Sequence, residues 1–329
     1  MKNPLVSILM PVKNAAPYLN ECLDSIVNQS YLNWELIAVN DHSTDFSKDI
    51  LINYQNKDIR IKVYENNKNG IINALKIALK KSNGTLITRM DADDIMGNEK
   101  LDQLVKLLTQ HQNGYVATGL VKYFSTSKKL NEGYLNYEKW LNNLTRNNAN
   151  FSQLYKECVI PSPCWMLNKA DLLKIGAFDS TIYPEDYDLT FRMFYGKLKV
   201  IGSNKTLHHW RDYPDRTSRT NANYSNNAFP KIKIHYFIKY ELDSNKQLIV
   251  WGAGKKSKAI AQLLIQNKVT FSWITNNPKK IGKTIYGCKI LDCNKIIIDN
   301  NTQLIIAIAS KSFQPNLSKA TKCAIYRFC

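Results

Sequence analysis

Short apolar runs alternate with helical stripes over about the first 110 residues. Leu5-Val6-Ser7-Ile8-Leu9-Met10, closed by Pro11, reads as a buried strand. Leu19, Leu23, Ile26 and Val27 recur at helical spacing, with Pro17 near the helix start and Asn28-Gln29-Ser30 at its end. Residues 34–39 form a second strand running into the polar turn Asn40-Asp41-His42-Ser43-Thr44-Asp45, where Asp45 is placed to cap a helix over 46–56. Ile59, Ile61 and Val63 alternate, which predicts a strand over 59–64. Asn69-Gly70 turns the chain into a helix that buries Ile72, Leu75 and Leu79. After Asn83-Gly84, the run Thr85-Leu86-Ile87-Thr88 predicts a fourth strand. This βαβ spacing predicts a mostly parallel sheet with helices on both faces, and such sheets bind ligands at the carboxyl ends of their strands. Pro11, Asp41 and the acidic stretch after Thr88 all fall at such ends, so they are expected to share one site.

The pattern continues with a helix over 99–110 and a strand over 115–124. Residues 125–158 are polar and aromatic, with a helix around 137–144, and read as an acceptor-facing part. The prolines of 160–166 exclude a regular helix there. A short helix over 171–175 stops at Gly176, and another carries Glu185, Asp186 and Arg192 to Gly196. Residues 198–201 read as a strand, followed by the basic and aromatic His208-His209-Trp210-Arg211-Asp212-Tyr213-Pro214. An Asn-rich connector over 221–227 leads to a helix over 232–242. The pattern then restarts with a strand over 248–251, the turn Gly252-Ala253-Gly254, a helix over 259–266 and strands over 270–274 and 303–309. This divides the chain into domains 1–243 and 244–329.

Arg89-Met90-Asp91-Ala92-Asp93-Asp94-Ile95 is the densest candidate chemistry. Carboxylates at the end of a buried strand are costly unless a cation or donors meet them. If the strand breaks there, Asp91 and Asp93 can converge on a hard cation that also holds a substrate diphosphate. The competing reading is a solvated acidic turn capping the next helix near Asn98. Glu185-Asp186 is either a catalytic pair or an acidic helix start favoured by the helix dipole. Arg211, Arg216 and Arg219 either grip a diphosphate or an anionic acceptor, or form a solvated basic loop. Gly252-x-Gly254 opens an incomplete dinucleotide fingerprint, with Ser257 in the third glycine's place and Asn276 where an acid would hold a ribose.

Length and composition set the frame. The chain has 329 residues, 44% hydrophobic, enough for two cored domains. No apolar run approaches a membrane span, and the N-terminus lacks a signal-peptide layout. Seven scattered cysteines without a Cys-x-x-Cys pair fit a reducing cytoplasm rather than disulfides or zinc. The formal charge of +18 is compatible with anionic partners. The lysines are dispersed without a nucleic-acid fingerprint, so the expectation is no nucleic acid and weak peripheral attraction to an anionic membrane.

The motifs Val6 to Asn14, Val39 to Asp45, Met90-Asp91-Ala92-Asp93-Asp94, Gly176-Ala177-Phe178-Asp179 and Glu185-Asp186-Tyr187-Asp188-Leu189 come in an order and spacing that resembles family 2 glycosyltransferases with a GT-A fold. The resemblance covers roughly residues 4–220. It implies an α/β fold with a GT-A type nucleotide-binding sheet sandwiched by helices; the C-terminal part is similar to small Rossmann-like domains. It implies a nucleotide-sugar donor, UDP-linked by expectation, and inverting transfer to a glycan or lipid-linked acceptor hydroxyl in surface polysaccharide, lipopolysaccharide or capsule synthesis. It further implies that Asp41 recognises the donor base and that Pro11 lines the base pocket, with Lys13 and Arg211 in the substrate-binding set. Asp91 would lie near ribose and metal, Asp93 would ligate Mn²⁺ or Mg²⁺, and Asp186 of the Glu185-Asp186 pair would be the general base. The expected setting is cytoplasmic, with room for peripheral contact at the inner face of the plasma membrane. The sequence departs from the family where Asn40 and His42 replace an Asp and a Gly, and where Tyr213 stands in place of a late His; His208 or His209 are the alternatives for that role. Two rival readings are a nucleotide-sugar oxidoreductase centred on the C-terminal Gly-turn, and a basic glycan-binding scaffold without turnover.

Overall fold

The computed structural model describes residues 3–111, 113–126, 130–214, 216, 224, 228–308 and 323–329. The chain forms two compact units, residues 1–152 with 159–216, and residues 153–158 with 217–329.

The first unit runs β1 (Val6–Val12), α1 (Ala16–Val27), β2 (Trp34–Asn40), α2 (Ser47–Lys57), β3 (Ile61–Glu65), α3 (Ile71–Lys81), β4 (Leu86–Arg89), β5 (Ile95–Met96), α4 (Lys100–Thr109), β6 (Tyr115–Phe124), α5 (Glu132–Arg146), β7 (Trp165–Asn168), α6 (Lys169–Lys174), α7 (Glu185–Tyr195) and β8 (Lys199–Arg211). Its eight strands lie in the order β3-β2-β1-β4-β7-β6-β8-β5. The first four are mutually parallel, and β7 joins them antiparallel to both β4 and β6. The unbroken apolar run of β1 follows from burial on both faces. Val6, Ile8 and Met10 pack with Leu19, Leu23 and Ile26 of α1 and with Leu101, Leu104 and Leu108 of α4. Leu9 faces the other way, onto Ala74, Leu75 and Ala78 of α3 and Leu189 and Met193 of α7. Each of the larger buried side chains contributes about 1.5–3 kcal/mol.

Three expectations are corrected. The third strand begins at Ile61, and Ile59 is 92% exposed. Residues 58–61 form a turn instead, in which the Asp58 carboxylate accepts from Arg60 N and Ile61 N donates to the Asp58 carbonyl. The strand expected over 198–201 extends through Arg211, so the basic and aromatic residues 208–211 are strand rather than loop. Parallel pairing with β6 past two register shifts carries it on, as Val121 meets His208 and Phe124 meets Arg211. Asp45 does not occupy the cap of α2; its carboxylate accepts from Ser47 N and from Ala16 N, tying the starts of α2 and α1 together.

At the amino ends of the central strands, Glu35 is 4% exposed and gathers donors. Its carboxylate accepts from Ser7 Oγ, Lys62 Nζ, Asn83 N and Nδ2, and Gly84 N. Burial works against its charge, but Lys62, Ser7 and Asn83 outweigh it and hold the pKa down at about 2.

The second unit contains α8 (Ala228–Tyr240), β9 (Gln247–Trp251), α9 (Lys255–Gln266), β10 (Ser272–Thr275), β11 (Thr284–Ile285), β12 (Cys288–Asp292), β13 (Thr302–Ile306) and β14 (Ala324–Arg327). The sheet order is β11-β12-β10-β9-β13-β14, parallel everywhere except β11 against β12. From β12 to β14 this is the order of a doubly wound sheet. Gly252 has φ +127°, and a Cβ there would lie 2.7 Å from Ser257 Oγ and 2.8 Å from the Ala307 carbonyl. That glycine is required by packing. Ser257 Oγ donates to the Ala307 carbonyl at 2.8 Å, so the residue in the third glycine's place fastens α9 to β13. The expected connector 221–227 lies outside the described residues apart from Tyr224, and the strand expected over 303–309 runs from Thr302 and ends at Ile306. Among the described residues no helix is long and apolar enough to cross a membrane.

Candidate active site

The carboxyl ends of β1, β2, β3 and β4 hold the polar turns of the first unit. Pro11 sits near the end of β1, opposite Val39. The pairing of β1 with β4 stops at Leu9 and Arg89, so the side on which Pro11 lacks an N–H is already free of a strand partner. Asp41 follows β2 and is 4% exposed. Its Oδ1 accepts from Asn66 Nδ2 at 2.5 Å and from Gly70 N at 2.9 Å. Lys13 Nζ lies 3.9 Å from Asp41 Oδ2 and donates to Asn69 Oδ1. Pro11 and Asp41 thus lie at adjacent strand ends, with Lys13 beside Asp41 and the carboxylate held by Asn66 and Gly70. His42, in the family's glycine position, adopts φ +58°, the left-handed conformation a glycine takes without strain.

β4 ends at Arg89, and the chain breaks into the acidic turn. The Asp residues do not cap α4, whose first-turn cap position is Glu99 with no side-chain hydrogen bond. Each carboxylate has its own anchor instead. Asp91 Oδ1 accepts from Arg89 Nε at 2.9 Å. Asp93 Oδ2 accepts from the Tyr213 hydroxyl at 2.9 Å. Asp94 is fully buried; its Oδ1 accepts from Arg211 N at 2.8 Å, and its Oδ2 lies 3.0 Å from His208 Nε2. Burial holds His208 well below the usual histidine range, so it is the neutral partner of Asp94. Tyr213 stands where the family places its late histidine, and it contacts Asp93.

Arg211 builds the wall behind this turn. Its Nε donates to the Asp93 carbonyl, its Nη2 donates to Glu21, and its guanidinium lies 4.9 Å from the Tyr18 ring centroid and 4.6 Å from that of Phe124. Burial, then Asp94 and Asp91, push the Asp93 carboxyl up to about 7, against the opposing charge of Arg216. Asp94 is raised as well, first by burial and with Arg216 again opposing.

Arg89 joins the turn to α7. Besides Asp91, it reaches Glu185 Oε1 through Nη1 at 3.0 Å, and both Arg89 and Glu185 have side chains only 6% exposed. Beside Glu185, Asp186 accepts from Tyr187 N and is raised by burial and by the Glu185 charge, with Arg89 pulling the other way. Tyr183 lies between the two ends of the site: its hydroxyl would be 3.7 Å from a Cβ on Gly70, and its pKa is raised by burial and by Glu185 and Asp41. Asp41, Tyr183, Glu185, Arg89 and Asp91 form one polar seam. Sequence patterning brought out the acids but gave no role to Arg89, Asn66 or Tyr183; the one available signal was a cationic residue at the end of a buried strand.

The donor set suits a hard divalent cation. Asp91 Oδ2 and Asp93 Oδ1 accept no hydrogen bond among the described residues, and Asp93 is a deeply set carboxyl whose charge is undercompensated by the protein alone. Among the described residues no three His, Cys, Asp or Glu side chains are grouped to hold a metal. An ion held by Asp91 Oδ2 and Asp93 Oδ1 would take its remaining ligands from water and diphosphate, as Mg²⁺ commonly does.

Fold and seam together define a GT-A type glycosyltransferase domain. Residues 7–176 match the family model Glycosyl transferase family 2. The chain belongs to that family. It is 40% identical over 140 residues to an uncharacterized glycosyltransferase of Haemophilus influenzae, an alignment spanning 40% of this chain and 56% of the relative. Its fold is similar to that of S. aureus TarS 1–349 in complex with UDP-GlcNAc, with TM-score 0.55 and 18% identity over 79% of this chain and 71% of the other. It is also similar to the mannosyltransferase PcManGT of Pyrobaculum calidifontis in complex with GDP-Man and Mn²⁺, with TM-score 0.54 and 16% identity over 80% of this chain and 70% of the other.

Proposed function

We propose that the first unit moves a sugar from a UDP-sugar to an acceptor hydroxyl with inversion. The observation that carries this reading is the pair of open oxygens on Asp91 and Asp93, with Asp91 joined through Arg89 to the Glu185-Asp186 start of α7. Pro11, Lys13 and Asp41 hold the base, with the Asp41 carboxylate oriented by Asn66 Nδ2 on Oδ1 and by Gly70 N, which reaches both oxygens. A Mn²⁺ or Mg²⁺ ion held by Asp91 and Asp93 supplies charge neutralisation to the leaving diphosphate. Arg211 keeps the turn in shape from behind and adds positive charge. Asp186 takes the acceptor hydroxyl's proton at its carboxylate; burial has raised its pKa toward the range where a general base works well at neutral pH. Glu185, engaged by Arg89, positions and tunes that base rather than exchanging protons itself. One carboxylate set on each side of the reacting carbon gives a single displacement. The proposed setting is cytoplasmic, with a glycan or lipid-linked acceptor in surface polysaccharide synthesis. Both structural neighbours carry nucleotide sugars, which supports the donor class.

Calorimetric titration of UDP with and without Mn²⁺ tests the donor site. Binding should require Mn²⁺ and weaken at least tenfold, about 1.4 kcal/mol, in Asp93→Ala. Mn²⁺-dependent binding of GDP instead of UDP would overturn the UDP assignment, and binding unchanged in Asp93→Ala would overturn the role of Asp93.

A further inference from the structure

The formal charge of the chain is unevenly distributed. Residues 217–329 hold 18 Lys and Arg against four Asp and Glu, so they carry most of the chain's +18. Part of that charge gathers at one rim of the second sheet. The strands β12, β10 and β9 are adjacent and parallel, so their carboxyl ends lie side by side. Lys255 and Lys256 open α9 just beyond β9, Lys279 and Lys280 follow the Asn276-Asn277-Pro278 turn beyond β10, and Lys295 ends the short turn beyond β12. None of these five lysines forms an ion pair among the described residues. The acid at this rim is Asp292, whose carboxylate accepts from Asn294 N; Asp299, which accepts from Asn301 N and from the Thr302 hydroxyl, lies at the amino end of β13.

Two features show that this is more than a solvated basic face. The first turn of α9 has two adjacent lysines and no acid, which places positive charge against the positive end of the helix dipole. Local rules are broken in this way chiefly where a partner compensates. Exposed apolar side chains also follow two of these lysines closely along the chain. Ile296 and Ile298 pack onto the core of the second unit, while Ile297 between them is 81% exposed, and Ile281 directly after Lys280 is 36% exposed.

We propose that this rim docks the second unit onto an anionic lipid bilayer. Lysines attract the negative surface, and the isoleucines enter the boundary between headgroups and acyl chains. A soluble polyanion such as nucleic acid would use the lysines but would leave Ile281 and Ile297 in water, and single-stranded nucleic acid would call for aromatic stacking partners. The inference is independent of the reaction assigned to the first unit.

Flotation of the full chain with phosphatidylcholine vesicles, with and without phosphatidylglycerol, tests it. Binding should appear only with the anionic lipid and fall with added salt. The triple variant Lys255→Gln, Lys256→Gln, Lys279→Gln should lower partitioning on the order of 100-fold, at about fivefold per lysine. Ile297→Asn should lower it further while leaving the preference for phosphatidylglycerol intact. Thermal unfolding and UDP titration of the same variants should match the unaltered chain. Equal binding to both vesicle types, a triple variant that partitions like the unaltered chain, or rim-dependent binding to duplex DNA without binding to vesicles would overturn the proposal.

Discussion

Arg89 does the most with a single side chain. Its Nε meets Asp91 and its Nη1 meets Glu185, 96 positions later in the chain. Only a planar fork can hold two carboxylates in fixed directions at once, so lysine is a poor replacement. Its positive charge also favours the ionised form of Asp186, opposing the burial that raises it. The sign of a substitution follows. In its proposed role Asp186 acts as a base when deprotonated, so removing a nearby cation raises its pKa and costs activity first on the acid side. Arg89→Met should therefore move the acid limb of the kcat/KM profile to higher pH and lower its plateau. Arg89→Lys should bring the limb back toward its original position while the plateau stays low. A limb that does not move in Arg89→Met would contradict the electrostatic part of this account. Unpairing a buried carboxylate can cost about 3–5 kcal/mol, so folding of both variants should be checked by circular dichroism.

At the scale of elements, β1, β2 and β4 are pinned at both ends by polar groups with different tasks. The carboxyl ends carry the candidate site, and the amino ends converge on Glu35. That residue is held ionised by Lys62, Ser7 and Asn83 against its own burial. Its folded pKa of about 2 lies below the usual glutamate value of 4.5, so the stability it contributes is complete above pH 4.5 and is lost as pH falls toward about 2. The full effect is roughly 3 kcal/mol. Urea unfolding of Glu35→Gln and the unaltered chain should differ most at neutral pH and converge toward pH 2. A constant difference across that range would contradict the linkage. The same scale shows what patterning can convey. The buried strands β1, β2 and β4 announced themselves as apolar runs, and α3 and α4 as stripes. The start of β3 did not, because Ile59 continues an apolar alternation while the Asp58 turn turns it outward. The length of β8 did not either, since His208 and Arg211 are buried by pairing with β6 and by Asp94, partners remote in sequence.

For the whole molecule, the acids of the site were legible as a set because each follows an apolar run at a strand end. Their connections were not: Tyr183 between Asp41 and Glu185, Asn66 on Asp41, and Arg89 on Glu185 depend on which strand ends become neighbours, and no local pattern carries that. β7 shows the same limit, since Trp165–Asn168 is short, follows a proline-rich stretch, and is a strand only because β4 and β6 flank it. The second unit was legible as a restart of strand and helix, while the purpose of Gly252 and Ser257 emerged only from their contact with Ala307. The central claim is that the Asp91-Asp93 turn and Asp186 serve one reaction in separate roles. Its most direct test is Asp186→Asn, with UDP affinity and the release of UDP from a panel of UDP-sugars by water measured together in the presence of Mn²⁺. The account predicts unchanged UDP affinity and a release rate lower by about 10²–10⁴-fold; a variant that releases UDP at the original rate would contradict it.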